Sequence, residues 1–520
     1  MKSMSTVFDE AVLEDRPEID LSVLPSLRAD SEGVVVLAMD VGTSGTRAAL
    51  FNNRGEQIDG SLITLPGKAY SSLVSGSDID ADSLVESVAQ TIDFALERAE
   101  LFVSRVDYVA WSCFWHSLLG IDEAGKAITP LLGWADSRAA HDAVELREQL
   151  DEKTFHARTG SRFHPSYWPA KLRWLKRVQP NLFNRVRHWL SFSDYLFLQL
   201  LARPATSISM ASATGIFDQT KCEWDRELLS KIGIEPEQLP SIAAPRSTVQ
   251  GLGEQYSSRW PMLERAAWFP AIGDGAANNI GLGCAARDQV ALMLGTSGAM
   301  RMLSSRLAPR TLPWELFCYR ADRDRVVIGG ALSDGGSLLA WMKDGFGLNY
   351  DDDDLNLRLA EIEPDSHGLT ILPFWSGERA TGWSAAARGT IDGLHAGSKP
   401  IDILRAAMES ICYRFALIGQ ALNPFAPSAS IILAGKTFLS HPVWAQMMAD
   451  VLHRPVELFP DPEVSIRGAA LLALETIGTI DSIELVKSEP GRVFLPDITR
   501  HETYTQAIRR QEDLYRRLTN

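Results

Sequence analysis

Cysteine is scarce, and the few present are not paired. Cys113, Cys222, Cys284, Cys318 and Cys412 lie far apart and never as a Cys-x-x-Cys pair. An odd, scattered set excludes a disulfide frame and a thiolate zinc site; it reads as reduced thiols in a cytoplasmic protein. Long apolar runs are missing too. No stretch of about 18 uncharged apolar residues occurs, so no membrane-spanning helix is expected. The first 33 residues carry Asp9, Glu10, Glu14, Asp15, Glu18 and Asp20 and lack a basic stretch followed by an apolar core. That is neither a secretory signal nor a mitochondrial presequence. Basic residues are in deficit, 51 against 66 acidic ones, for a net charge of −15. A nucleic-acid partner would need a basic face, so none is expected. An acidic chain that binds anions does so with loops, helix N-termini and single arginines.

At 520 residues the chain is longer than one hydrophobic core usually supports, which points to two large domains. The most informative stretch runs from Val34 to Phe51. An apolar, β-branched run ends in Asp40, the turn Gly42-Thr43-Ser44-Gly45-Thr46-Arg47 follows, and a second apolar run begins. This reads as strand, tight turn, strand. Glycines let backbone N–H groups face one way, and the hydroxyls add donors, which suits a phosphate. Asp40 at the strand end is placed to hold Mg²⁺. An ordinary hairpin would look similar. The decision comes downstream, where Gly-Thr-Ser-Gly recurs at Gly295-Thr296-Ser297-Gly298, again between two apolar runs. Two such turns imply two related domains, each offering a phosphate turn. The position matching Asp40 is Met293, so only the first copy serves a metal. That asymmetry fits a nucleoside triphosphate held between two loops.

Between the copies, Gly273-Asp274-Gly275 places one carboxylate among small residues that leave room for a ligand. Upstream, Trp134-Ala135-Asp136-Ser137-Arg138 sets an aromatic ring, a carboxylate and a guanidinium at alternate positions before a helix over 139–150. If extended, the three side chains share a face and suit a polyhydroxy compound; as a structural Asp–Arg pair they would cap that helix. Both readings stay open. Helices are also predicted over 82–102, with Asp80 or Asp82 as N-cap, and over 400–422.

These pieces, with Gly377-Glu378-Arg379, Ala387-Arg388-Gly389, and Ala434-Gly435 followed by Trp444 and Ala449-Asp450-Val451-Leu452, resemble the FGGY family of carbohydrate kinases in family order. The resemblance spans about Val34 to Ile480. It implies an α/β fold of two ribonuclease-H-like domains of the actin/Hsp70 type, with the active site in the cleft. The implied organisation is an acidic extension over 1–33, a sugar-binding domain over 34–285, a nucleotide-binding domain over 286–485 and a helical tail over 486–520.

The resemblance further implies ATP and Mg²⁺ as cofactors and Asp274 as the catalytic base. Asp40 and Asp274 would hold the metal. Gly42, Thr43, Ser44, Gly45, Thr46, Arg47, Gly295, Thr296, Ser297, Gly435 and Lys436 would bind nucleotide. Lys436 stands where the family usually has a second glycine. Trp115, His116, Trp134, Asp136, Arg138, His164 and Asp274 would bind substrate. Trp115-His116-Ser117 and His164-Pro165-Ser166-Tyr167 look most like the gluconate kinases, which makes gluconate to 6-phosphogluconate the favoured reaction. Ketose and polyol kinases (xylulose, ribulose, glycerol) are the alternatives, and an actin-like nucleotide-dependent sensor is the alternative from another class. A homodimer is compatible with this reading.

Overall fold

The computed structural model describes residues 33–66, 78–286, 288–305, 309, 311–486 and 491–519. The acidic extension expected over 1–33 lies almost wholly outside them.

Two mixed sheets organise the chain. The first is built from β1 (Val36–Gly42), β2 (Gly45–Phe51), β3 (Ile63–Pro66), β4 (Tyr108–Cys113), β5 (Ala267–Trp268) and β6 (Ile272–Gly273). Its order is β6-β4-β1-β2-β3, with β5 also on β4. β1 and β2 are antiparallel, whereas β1, β4 and β6 run parallel. Val36 to Val41 are all buried, as a strand covered on both faces requires. Helix α1 (Ala81–Ala99) covers this sheet with Leu84, Val88, Ile92 and Ala95 at helical spacing. Of the two candidate caps, Asp80 takes the role, accepting the Asp82 N–H at 3.1 Å. Helix α2 (Asp274–Gly281) leaves directly from β6.

The second sheet repeats the plan. It comprises β7 (Gln289–Leu294), β8 (Gly298–Ser304), β9 (Phe317–Arg320), β10 (Val326–Leu332), β11 (Ser430–Ala434), β12 (Val456–Leu458) and β13 (Arg492–Phe494). The order is β9-β10-β8-β7-β11-β12-β13. Again a hairpin, β7 and β8, is followed on one side by parallel strands, β11 and β12. Helices α3 (Pro400–Leu422), α4 (Val464–Thr476) and α5 (Ile498–Thr519) complete the set used below.

The two turns share a tetrapeptide but not a register. In the first, Gly42 pairs with Gly45 across the two residues Thr43 and Ser44. In the second, Leu294 pairs with Gly298, and Gly295, Thr296 and Ser297 form the loop. One extra loop residue shifts every later side chain by one position. Accordingly Arg47 follows the first Gly-Thr-Ser-Gly by one intervening residue, and the arginine of the second copy, Arg301, follows by two.

The second sequence block does not stay with its own sheet. Helix α4 packs on β1, β2 and β4, and Ile466, Ala469, Ala470, Leu471 and Leu474 join the first core. It also crosses α2 with backbone against backbone. A Cβ on Gly468 would lie 1.8 Å from the Ala277 carbonyl, and one on Gly281 would lie 1.8 Å from that of Val464. Nothing larger than glycine fits at either position. Gly468→Val is therefore expected to destabilise the protein by about 1–3 kcal/mol, read as a lower thermal midpoint, because the helices must move apart.

Candidate active site

Three parallel strand ends deliver the chemistry. Asp40 on β1 lies in register with Ser112 on β4, which is in register with Ile272 on β6. The chain then turns into α2, whose first residue is Asp274. Asp40 is buried; its Oδ1 accepts the Ser112 hydroxyl at 2.5 Å, and its Oδ2 lies 3.4 Å from Arg47. Burial holds the Asp40 carboxyl above its ordinary range, against the Ser112 hydrogen bond and Arg47, and the Asp274 charge raises it further. Asp274 accepts the Gly275 N–H at 2.8 Å. Burial raises its pKa as well, opposed first by Arg301 and then by the N–H groups of Gly275 and Trp115.

These two carboxylates open onto a cleft of about 820 Å³ between the domains. Gly42, Thr43, Ser44 and Arg47 line one wall; Gly295, Thr296, Ser297, Gly435 and Lys436 line the other. Gly45 and Thr46 sit just behind, paired into the hairpin. The second turn is fixed from its rear. Gly336 donates to the Gly295 carbonyl at 2.7 Å, and Gly335 and Ser337 donate to that of Thr296 at 3.0 and 3.2 Å. Lys436 lines the cleft with a largely exposed side chain, its Nζ 3.8 Å from Glu463. Glu463 also takes Arg47 Nε at 2.7 Å, so a chain of charge runs Asp40–Arg47–Glu463–Lys436 across the cleft.

A chamber of about 100 Å³ adjoins the cleft, sharing Thr43, Asp274, Ser297, Gly298, Ala299 and Arg301 with it. Trp115, His116, Trp134, Tyr167, Tyr319, Arg379 and Trp383 belong to the chamber alone. His116 is a non-glycine residue at φ 68°, and its Nδ1–H donates to the Ala213 carbonyl at 2.6 Å. Burial pulls its pKa down to about 3, so the ring is a neutral acceptor through Nε2. Lys171 Nζ donates to the His116 carbonyl at 2.7 Å and is drawn down to about 7 by its own burial. The Tyr167 and Tyr319 hydroxyls meet each other.

The remaining sequence-derived substrate residues stand outside the chamber lining. Asp136 and Arg138 pair bidentately at 2.7–3.1 Å, and Arg138 continues to Asp78 at 2.8 Å and over the Trp174 ring. His164 is one layer back. Its Nδ1 accepts the Ser166 N–H at 3.2 Å and its Nε2–H donates to the Glu378 carbonyl at 3.1 Å, fixing the tautomer. It therefore joins the wall that carries Trp134 to the loop that carries Arg379.

Two arginines escaped the sequence reading. Arg301 and Arg379 line the chamber, are almost fully buried, and form no ion pair within 4.0 Å among the described residues. The Nε of each lacks a partner. Burial lowers the pKa of both, Arg301 to about 10; Asp274 holds each up in part, and the Arg379 charge depresses that of Arg301 further. Arg379 donates from Nη2 to the Leu332 carbonyl at 2.8 Å and lies 4.5 Å over the Trp134 ring. Arg301 had a legible signal, a charge between two methionines in an otherwise apolar strand. Arg379 stood in the Gly377-Glu378-Arg379 motif that carried the resemblance, but was assigned no role there; its neighbour Glu378 pairs with Arg414 at 2.6 Å.

Two matches decide the family. The N-terminal domain of the FGGY carbohydrate kinases matches residues 35–281, and the C-terminal domain matches 290–476. The chain belongs to the FGGY family of carbohydrate kinases. It is an ATP-dependent carbohydrate kinase with the two-domain, actin-like α/β fold. It is 28% identical over 471 residues to a gluconokinase of Bacillus subtilis (strain 168), covering 88% of this chain and 91% of that one. A glycerol kinase of Trichlorobacter lovleyi is 28% identical over 465 residues, covering 85% and 90%. A gluconate kinase structure from Lactobacillus acidophilus superposes with a TM-score of 0.83 at 24% identity, over 94% of this chain and 98% of that one, a likeness of fold.

The kinase's donor set fits Mg²⁺. Asp40 and Asp274 are hard oxygen donors whose charges oppose one another beside a cleft lined by phosphate-type turns. Mg²⁺ characteristically takes one or two carboxylates and completes its shell with water and phosphate oxygens. The trio Asp365, His367 and Glu409, whose ligand atoms also lie close together, is an internal network instead: Glu409 already takes Arg405 and Tyr413, and His367 Nδ1 accepts the Leu369 N–H.

The raised Asp274 carboxyl has two consequences. The acid limb of kcat/KM should fall above pH 3.8, the ordinary aspartate value, and vanish into the baseline in Asp274→Asn, whose kcat drops about 10³-fold or more. A folded pKa raised above the unfolded one gives stability present below pH 3.8 and lost as pH rises through the folded value. Asp274→Asn should therefore melt above the parent protein at pH 7, with the difference closing as pH falls toward 4 in parallel thermal scans.

Proposed function

We propose that this kinase transfers the γ-phosphoryl group of ATP to the terminal hydroxyl of a sugar acid, with gluconate to 6-phosphogluconate as the reaction. The observation that carries the reading is the charge of the chamber. Two buried guanidiniums, Arg301 and Arg379, face one carboxylate, Asp274, while His116 is neutral. Asp334 behind the wall also acts on Arg379, yet a neutral ketose or glycerol would leave both guanidiniums without an ion-pair partner within 4.0 Å among the described residues. A carboxylate supplies one.

The arrangement also orders the acceptor. Arg379 lines the part of the chamber that does not border the cleft, whereas Asp274 and Arg301 border both. An acid group on Arg379 directs the far end of the chain toward Asp274 and the phosphate turns. Trp115 and Trp134 offer ring faces to C–H groups, and His116 Nε2 accepts a hydroxyl. Asp274 orients the attacking hydroxyl and takes its proton late, as a loose phosphoryl-transfer transition state allows. The turns over Gly42–Thr46 and Gly295–Ser297 and the cations Arg47 and Arg301 stabilise charge on the transferring group. Mg²⁺ on Asp40 and Asp274 would neutralise phosphate oxygens. The five free thiols suit a cytoplasmic enzyme.

An acceptor panel with coupled ADP detection tests this reading. Gluconate should exceed xylulose, ribulose and glycerol in kcat/KM by at least about a hundredfold, and Arg379→Met should remove most of that margin. A neutral acceptor turned over best, by parent and variant alike, would sink the sugar-acid assignment.

A further inference from the structure

The C-terminal helix lies beyond the family match, which ends at residue 476. It nevertheless reaches the back of the acceptor chamber. The loop over 377–384 presents Arg379 and Trp383 to that chamber. Behind it stands Glu378, buried, with both carboxylate oxygens engaged. Oε1 accepts Arg414 Nη2 of α3 at 2.6 Å and the Gly382 N–H at 2.9 Å. Oε2 accepts the Tyr515 hydroxyl of α5 at 2.6 Å and the Ser384 N–H at 3.3 Å. Tyr515 packs edge-on to Phe374 and lies 5.2 Å from the Arg414 guanidinium. On the far side of the loop, the Glu378 carbonyl accepts from His164 and the Trp383 carbonyl accepts from Arg147 at 2.8 Å. The loop is therefore held between the first domain and the C-terminal helix, with Arg379 at its centre.

We propose that α5 braces the acceptor site, and that Tyr515 is the positioning residue that sets Arg379 and Trp383 through Glu378. The hydroxyl is one of four donors to the Glu378 carboxylate among the described residues and the only one of them on α5, so losing it frees one edge of the loop without emptying the core. The effect belongs to acceptor binding. Among the described residues, the ATP cleft takes no side of this loop and no residue of α5. In its use of Arg379 the proposal rests on the sugar-acid reading, whereas the brace itself acts on whichever acceptor the chamber holds.

The test uses the full chain and the best acceptor of the panel. Tyr515→Phe should raise the acceptor KM about three- to thirtyfold while the ATP KM and the thermal midpoint stay close to those of the parent. Leu518→Ser, at the exposed end of the same helix, should leave both KM values unchanged. Arg379→Met separates the two claims. If Tyr515→Phe weakens acceptor binding but Arg379→Met does not alter the preference for acids, the brace stands and the sugar-acid reading fails. If Arg379→Met abolishes the preference and Tyr515→Phe leaves the acceptor KM within twofold, or raises both KM values together, the brace is overturned.

Discussion

The crossing of α2 and α4 is the contact on which the site depends. Their backbones meet at Gly281 and Gly468, where no Cβ fits. Asp274 is the first residue of one helix, and Glu463 immediately precedes the other. One packing contact thus places the Asp274 carboxylate and the residue that links Arg47 to Lys436 across the cleft. Because α4 returns to the first sheet, the two halves of the kinase share a core segment at the floor of the cleft. Side chains at this crossing would hold the helices apart, and both carboxylates would move with them.

Electrostatics then divides the site into two compartments of opposite need. The larger cleft pairs donor-rich turns with Asp40 and Asp274, and on the proposed reading their burial and like charge favour a dication there. On the proposed reading the chamber, lined by two guanidiniums and one carboxylate, favours an anion. Asp274 and Arg301 stand at the boundary and face both. An acceptor acid and a metal–nucleotide complex would therefore each relieve the field that the other compartment leaves behind. Desolvation, which raises both aspartates and lowers both arginines, makes these preferences strong in the closed site.

Much of this was legible in the sequence, because local chemistry dictated it. The turn at Gly42–Thr46, its echo at Gly295–Gly298 and the aspartate at Asp274 occur where strand ends demand glycine and small polar residues. Helix α3 over 400–422 matched its periodicity to the residue. The one-residue difference in register between the turns was hidden, since identical tetrapeptides close loops of two and three residues. Asp136 and Arg138 show the same limit: the segment folds as a turn and not as the extended run that would put Trp134, Asp136 and Arg138 on one face. Trp134 alone of the three therefore lines the chamber, while Arg138 pairs with Asp136 and turns to Asp78 and Trp174. The roles of Arg379 and Tyr515 could not be read, although Arg379 stood in a motif that carried the family resemblance. Their roles arise from a loop and a helix that meet only in the folded chain, around a glutamate whose partners lie 36 and 137 residues away.

The most direct test of the whole account is a crystal structure of the kinase with gluconate and a non-hydrolysable ATP analogue. The account predicts the γ-phosphoryl group between Thr43–Ser44 and Thr296–Ser297, the gluconate carboxylate on Arg379 and the terminal hydroxyl within hydrogen-bond reach of Asp274. A carboxylate lying against Asp274, or an acceptor bound outside the chamber with Arg379 still unpaired, would contradict it.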